Sequence, residues 1–149
     1  MKTGPLPKSL EAFLKEPNPA TIATVRSDGR PQCVPTWYEY DGGQILVNMD
    51  AGRIRLKHMR ANPNIAMSIM WHKHWYRHLS IAGRVVELYD DIDMRDLDRI
   101  SIHYIGIPYK KRQQKRVSAK LVIDSWLAWD ATTFVIDGIA KAQDQFENG

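Results

Sequence analysis

The chain has 149 residues, 44% of them hydrophobic and 26% charged, with a formal net charge of +4. A chain of this length and composition can bury a core of its own, so one globular domain spanning residues 1–149 is expected. No stretch approaches a membrane span and the N-terminus lacks the apolar core of a signal peptide, so the expectation is a cytoplasmic protein with no membrane partner.

In chain order, Ser9 is placed to cap a short helix with Leu10, Phe13 and Leu14 on one face, and Pro17-Asn18-Pro19 ends it. A strand over residues 20–26 meets Ser27-Asp28-Gly29-Arg30, an Asp-Gly hairpin turn, and returns over residues 31–40. Cys33 is the sole cysteine, so it has no internal disulfide partner and suits a reducing compartment. It alternates within this strand, which reads as a small buried hydrophobe rather than a nucleophile. Asp41-Gly42-Gly43 makes the next turn into a strand over residues 44–49, so the first third of the chain reads as a three-stranded antiparallel meander.

The segment that follows carries the chemistry. An apolar strand, Ile45 to Val47, ends in Asn48 and Asp50, Gly52 permits a tight turn, and Arg53, Arg55, Lys57 and Arg60 crowd the first turns of a helix stopped at Asn62-Pro63. Free N–H groups and the helix dipole already favour an anion there, and the cations repel one another unless something negative lies among them. The segment therefore reads as a phosphate cradle, against the alternative of a solvated basic face.

Strands over residues 65–70 and 79–89 come next, separated by an aromatic and basic loop, residues 71–78, and Asp90 or Asp91 caps a helix running to about Tyr104. A second basic cluster, residues 110–116, precedes a strand over residues 119–129 that alternates Leu121, Ile123 and Ser125 against Val122, Asp124 and Trp126. A short apolar run, residues 134–136, follows, and residues 1–8 and 142–149 are expected to be mobile. Six or seven strands with few helices suggest a closed or split β-barrel, mainly β with inserted helices.

The positive charge favours anionic partners. The second basic cluster is not interleaved with stacking aromatics or accompanied by a helix-turn-helix, zinc-finger or RNA-binding signature, so nucleic acid is not expected as a partner. His72, His74 and His78 lack a metal-binding arrangement, and neither a metal nor haem is expected. No Ser/His/Asp or paired-carboxylate centre is apparent.

Taken together, Pro19-Ala-Thr-Ile-Ala-Thr-Val25, the run from Asp28 to Tyr40, the basic helix ending in Asn62-Pro63, and Leu79-Ser-Ile-Ala-Gly-Arg-Val-Val-Glu87 resemble the pyridoxamine-phosphate-oxidase-like split β-barrel superfamily. Within it the chain is most similar, over residues 9–130, to the flavin/deazaflavin oxidoreductases of the B group. The resemblance implies a homodimer with two cofactor sites at the subunit interface. It implies that Arg53, Arg55 and Lys57 hold the phosphate of coenzyme F420 or of FMN, and that Asn48 and Met49 lie beside the ribityl chain and ring. Val34, Pro35, Thr36 and Trp37 would line the ring plane, Pro35 marking an edge or a ligand-contacted backbone. His78 would touch the ring and could supply a proton.

The pyridoxamine-phosphate oxidases end in an Arg-Leu-x-Pro segment that this chain lacks, which argues against that reaction. Residues 106–116 match in position the variable segment of the deazaflavin group. The resemblance thus implies a hydride exchanged between reduced F420 and a small unsaturated or electron-poor organic substrate, the coenzyme carrying the hard step. Trp37, Tyr38, Trp75, Tyr76 and Trp129 are candidates for the substrate wall, and Trp126 reads as core. The alternatives are an FMN-dependent oxidoreductase of the same fold and a non-catalytic coenzyme- or ligand-binding dimer.

Overall fold

The computed structural model describes residues 1–131. In chain order these form α1 (Lys8–Leu14), β1 (Ala20–Val25), β2 (Pro31–Thr36), β3 (Glu39–Asp41), β4 (Gln44–Asp50), α2 (Ile54–Ala61), β5 (Asn64–Met70), β6 (Arg77–Asp90), α3 (Arg95–Ile105) and β7 (Arg116–Asp130). The strands make one antiparallel sheet in the order β2-β1-β5-β6-β7-β4-β3.

The two edge strands of that order are consecutive in the chain, with Trp37 and Tyr38 alone between them. In a flat seven-stranded sheet its edges would lie roughly 29 Å apart. The step from Thr36 to Glu39 spans at most about 11 Å. The sheet must therefore curl until its edges meet, and the fold is a mainly β, split β-barrel with inserted helices. Seven antiparallel strands leave both edges pointing the same way, so the chain crosses the seam without reversing.

This overturns two sequence expectations. Residues 31–40 are two strands, not one, and β2 pairs with β1 while β3 pairs with β4 at the far edge, so the first third is two hairpins rather than a meander. Polar and apolar residues alternate through the break, so periodicity alone does not show that the chain changes edges there. Pro31 and Pro35 lack ladder donors, and β2 is an edge strand as Pro35 suggested. The Asp-Gly turn has Gly29 at φ +81°, and Gly42 and Gly43 are both left-handed, as a tight hairpin requires.

The inner face is built by alternation: Ile22 on β1, Ile45, Val47 and Met49 on β4, Ile65, Met67 and Ile69 on β5, Leu79 and Ile81 on β6, Val117, Ala119 and Leu121 on β7. Phe13 and Leu14 of α1 and Leu56 and Met59 of α2 close it. α2 is tied to β1 by a 2.9 Å hydrogen bond between buried His58 Nδ1 and Thr24 Oγ1. The parity of β7 reverses at a bulge: Ile123 pairs with Gly83 but Ser125 with Ala82, so Asp124 is extra and Trp126 turns inward, buried as expected. The uninterrupted alternation read over residues 119–129 is corrected accordingly.

Other corrections are local. α1 begins at Lys8 with the Pro7 carbonyl accepting its first bonds, so Ser9 lies within the helix and caps nothing. Cys33 is exposed, since its parity on β2 points it out of the barrel. Gly52 has no left-handed φ; the turn is held by Asp50 Oδ1, which accepts the Gly52 N–H at 2.7 Å. Lys2 bridges to Trp126 by two backbone hydrogen bonds, tying down the N-terminal segment. Residues 134–136 and 142–149 lie outside the described residues. Among those described, no helix is long and apolar enough to cross a membrane.

Gly83 sits where a Cβ would collide with the Val122 backbone carbonyl at the bulge. Relief requires β6 and β7 to move apart across the most extensive strand pair. Gly83→Ala should lower the free energy of unfolding by about 1–3 kcal/mol, read as a fall in the urea midpoint at unchanged m-value.

Candidate functional site

A cleft of about 510 Å³ opens at the barrel seam. Pro35, Thr36 and Trp37 bring the end of β2 and the seam itself to it, Pro17, Pro19 and Ala20 the approach to β1. Asn48 enters from β4, Arg53 and Arg55 from the start of α2, Leu97, Ile100 and Tyr104 from one face of α3, and Tyr109 and Arg116 from the segment leading into β7.

One end is cationic. The Asp50 carbonyl accepts the Arg53 N–H at 3.0 Å, which turns the chain so that α2 starts beside the cleft. Arg55 Nη2 donates to the Asn48 backbone carbonyl at 3.0 Å, while its buried Nε has no partner. Arg116 Nε donates to Asn48 Oδ1 at 2.9 Å, and its guanidinium lies 5.4 Å from the centre of the Tyr109 ring. Burial, and then repulsion from Arg53 and Arg116, pushes the Arg55 pKa down to about 10. Burial lowers Arg116 as well. Among the described residues no carboxylate lies within ion-pairing distance of these three arginines. Three cations with one unsatisfied buried donor make this end of the cleft chemically suited to an anion.

The scaffold behind them is a buried polar network. Asn48 Nδ2 donates to Asp91 Oδ2 at 2.9 Å and to Ser118 Oγ at 3.1 Å, so its Oδ1 is aimed at Arg116. Asp91 also accepts the N–H groups of Asp96 and Leu97, each at 3.0 Å, and so satisfies the first turn of α3 from before the turn Ile92–Met94, although Met94 rather than Asp90 or Asp91 holds the N-cap position. Ser118 and Tyr89 donate to Asp96 Oδ2 at 2.7 and 2.6 Å, and Arg99 bridges Asp96 to Glu39. α3 is thus held to β4, β6 and β7 by hydrogen bonds, which positions Leu97, Ile100 and Tyr104 as the cleft wall.

The other end is apolar and aromatic. Trp37 and Tyr104 are stacked, with centroids 5.4 Å apart and planes 10° from parallel. The prolines, Leu97 and Ile100 complete a surface suited to a planar ring.

The cleft gathers Pro35, Thr36, Trp37, Asn48, Arg53 and Arg55 from the sequence-derived set. Val34 does not line it; it packs half-buried against the core. Met49 points inward, 1% exposed, because it has the opposite parity from Asn48. Lys57 is exposed, two residues beyond Arg55 and so on another side of α2. Tyr38 is 1% exposed and donates to the Glu16 carbonyl, which makes it core rather than substrate wall. Trp75, Tyr76, His78 and Trp129 lie at the far end of β6 and β7, outside the cleft, with His78 Nδ1 3.1 Å from the Trp75 carbonyl oxygen and in register with Trp129. Among the described residues no group of His, Cys, Asp and Glu could hold a metal ion.

Arg116 is the residue that sequence reasoning left in the wrong cluster. The register pairs Asp50 with Arg116, which brings the end of the second basic run to the first. Its neighbour Arg112 instead pairs with Asp98 at 2.6 Å and is structural. The face of α3 was legible as Leu97, Ile100 and Tyr104 at helical spacing, but not what it faces.

Residues 6–130 match the pyridoxamine 5'-phosphate oxidase family. The chain belongs to that family. Among solved structures of the same fold, an F420 reductase superimposes with a TM-score of 0.74 at 26% identity, over 82% of this chain and 98% of that one. A conserved hypothetical protein of Mycobacterium tuberculosis gives 0.66 at 21% identity over 86% of each chain. An FAD and heme binding protein of Mycobacterium smegmatis gives 0.63 at 20% identity, over 88% of this chain and 74% of that one. The last two show the shared fold. No curated protein matches the chain.

Burial opposes ionisation of Asp96, but the hydrogen bonds from Tyr89, Ser118 and Arg99 outweigh it and hold the carboxyl below its ordinary 3.8. A carboxyl depressed on folding contributes stability above its unfolded pKa and loses it as pH falls through the folded value. Stability should therefore decline as the pH drops below about 4. Asp96→Asn should be less stable at neutral pH and show a shallower decline there, measured by urea midpoints across that range.

Proposed function

We propose that the protein is a single-domain, homodimeric oxidoreductase that binds coenzyme F420 in the seam cleft and reduces a small unsaturated or electron-poor organic substrate. The observation that carries this reading is the trio Arg53, Arg55 and Arg116, none of them in an ion pair with a described carboxylate and Arg55 holding an orphaned buried Nε, at one end of a cleft whose other end is flat and apolar. The likeness to an F420 reductase across nearly that whole protein supports it.

The residues present fit such a coenzyme. Arg55 and Arg116, each fixed by a hydrogen bond to Asn48, would hold its phosphate with charge-assisted bonds, and Arg53 would add a more exposed contact. Pro35, Trp37, Leu97 and Ile100 would bound the ring and keep water from it. When bound, the deazaflavin supplies the hydride chemistry. The arginines aside, the polar side chains lining the cleft are Thr36, Asn48, Tyr104 and Tyr109, so the product's proton would come from solvent, from a tyrosine hydroxyl of the cleft or from a second subunit.

The dimer reading rests on the outer sheet face. Paired across strands there are Cys33, Ala23, Ala66 and Ala82, beside the row Thr21, Ser68 and Ser80, with exposed Leu127 and Trp129 alongside, so this stretch of the face carries small uncharged side chains next to exposed apolar ones. His78 and Trp129 lie on that face and can reach a coenzyme only as a partner's contribution to a shared site. Light scattering at micromolar concentration should give a dimer, and Trp129→Glu should yield monomer; a monomeric wild type removes the shared site.

Titration of the apo-protein with F420 and with FMN, followed by fluorescence, tests the cofactor. F420 should bind, more weakly as salt is raised. Tight binding of FMN with no binding of F420 would transfer the reading to the FMN-dependent alternative, whose phosphate the same trio suits. Arg55→Ala or Arg116→Ala should weaken coenzyme binding about 10- to 150-fold, the equivalent of about 1.5–3 kcal/mol. Lys57→Ala, outside the cleft, should change it less than about twofold.

A further inference from the structure

One face of the Trp37 indole, the most extended flat surface of the cleft, is covered by Tyr104. Tyr104 Oη also donates a 2.6 Å hydrogen bond to the backbone carbonyl of Asn18, between the two cleft prolines. Asn18 is wholly buried, and its side chain donates to the Phe13 carbonyl and accepts the His72 N–H. Its carbonyl is therefore a fixed acceptor. Burial pushes the Tyr104 phenol up, which keeps it a donor. The residue lies in the last turn of α3, two positions before Gly106 at φ +76°. At the opposite end of α3, Asp93 and Met94 both have φ +58°, so left-handed backbone joins the helix to the fold on each side.

We propose that Tyr104 is the specificity-determining residue of this cleft, standing in the place of a ligand ring that must replace both of its interactions. The ligand class follows from what is displaced: a planar conjugated ring that stacks on Trp37 and carries an N–H or O–H donor at its edge for the Asn18 carbonyl. A ring without an edge donor leaves that buried acceptor unpaired and is rejected. A small aliphatic substrate cannot replace the stack. The inference deepens the coenzyme reading above, and it concerns the aromatic end of the cleft rather than the arginines.

The test uses Tyr104→Phe, which keeps the ring and loses the donor, and Tyr104→Ala, which loses both. Lumichrome, the bare tricyclic flavin ring with N–H donors and no phosphate, probes the aromatic end alone. Tyr104→Ala should bind it about 5- to 50-fold more tightly than wild type, because a competing occupant has been removed, and Tyr104→Phe should fall between. Lumichrome methylated at both N–H positions should bind about tenfold more weakly than lumichrome in every form. Without ligand, acrylamide quenching assigned to Trp37 by difference from Trp37→Phe should rise in Tyr104→Ala and stay unchanged in Tyr104→Phe. Lumichrome binding Tyr104→Ala no more tightly than wild type, or quenching of Trp37 unchanged by Tyr104→Ala, would overturn the proposal. If lumichrome behaves as expected while neither FMN nor F420 binds, the phosphate-end reading fails and Tyr104 keeps its assigned role.

Discussion

Two residues, Trp37 and Tyr38, join opposite edges of a seven-stranded sheet. That short link is incompatible with an open sheet and so imposes the curl, the closed core and the position of the split. It also assigns the two side chains different fates. Tyr38 passes inward and is buried with its hydroxyl on the Glu16 carbonyl, while Trp37 passes into the cleft. The site is therefore not an addition to the barrel wall but the gap left where the wall is joined by chain instead of by ladder hydrogen bonds, where backbone and side chains are free to meet a ligand.

Holding arginines in such a gap is costly. Burial disfavours the charge of Arg55 and Arg116, and their mutual repulsion adds to it. The fold offsets this with dipoles rather than carboxylates: Asn48 offers its backbone oxygen to Arg55 and its side-chain oxygen to Arg116. Asn48 can do both because Asp91 and Ser118 fix its amide. The carboxylates stay one step back: Asp91 and Asp96 serve α3, and Asp50, opposite Arg116, accepts the Gly52 N–H, so Asp50 and Asp91 attract Arg116 from a distance without forming an ion pair with the guanidiniums. A direct Asp–Arg pair would stabilise the empty protein and compete with an anionic ligand.

The same logic holds at the aromatic end. An unfilled flat apolar cleft exposes Trp37 to water, and Tyr104 reduces that cost by covering it with a ring of its own chain. On the proposed reading, both ends carry internal substitutes for what a ligand would bring, a carbonyl dipole for a phosphate and a phenol for a planar ring. Preorganisation and selectivity then come from one set of contacts, since a ligand gains only what it offers beyond them.

Much of this was legible in residue pattern. The hairpin turns at Asp28-Gly29 and Gly42-Gly43, the amphipathic strands, the basic start of α2 and the Asp91 contacts with the first turn of α3 are local, set by backbone sterics and by side chains within a few residues, and they stand where the sequence put them. The order of motifs was enough for the family and the barrel. Long-range pairing decided the rest. That residues 31–40 divide between opposite edges, that Arg116 lies opposite Asp50, that Met49 and Tyr38 face the core and Lys57 the solvent all follow from register, a bulge and the closure of the sheet. Those depend on which surfaces bury one another, and a period of two or of 3.6 residues says that a side chain has a face without saying what that face will meet.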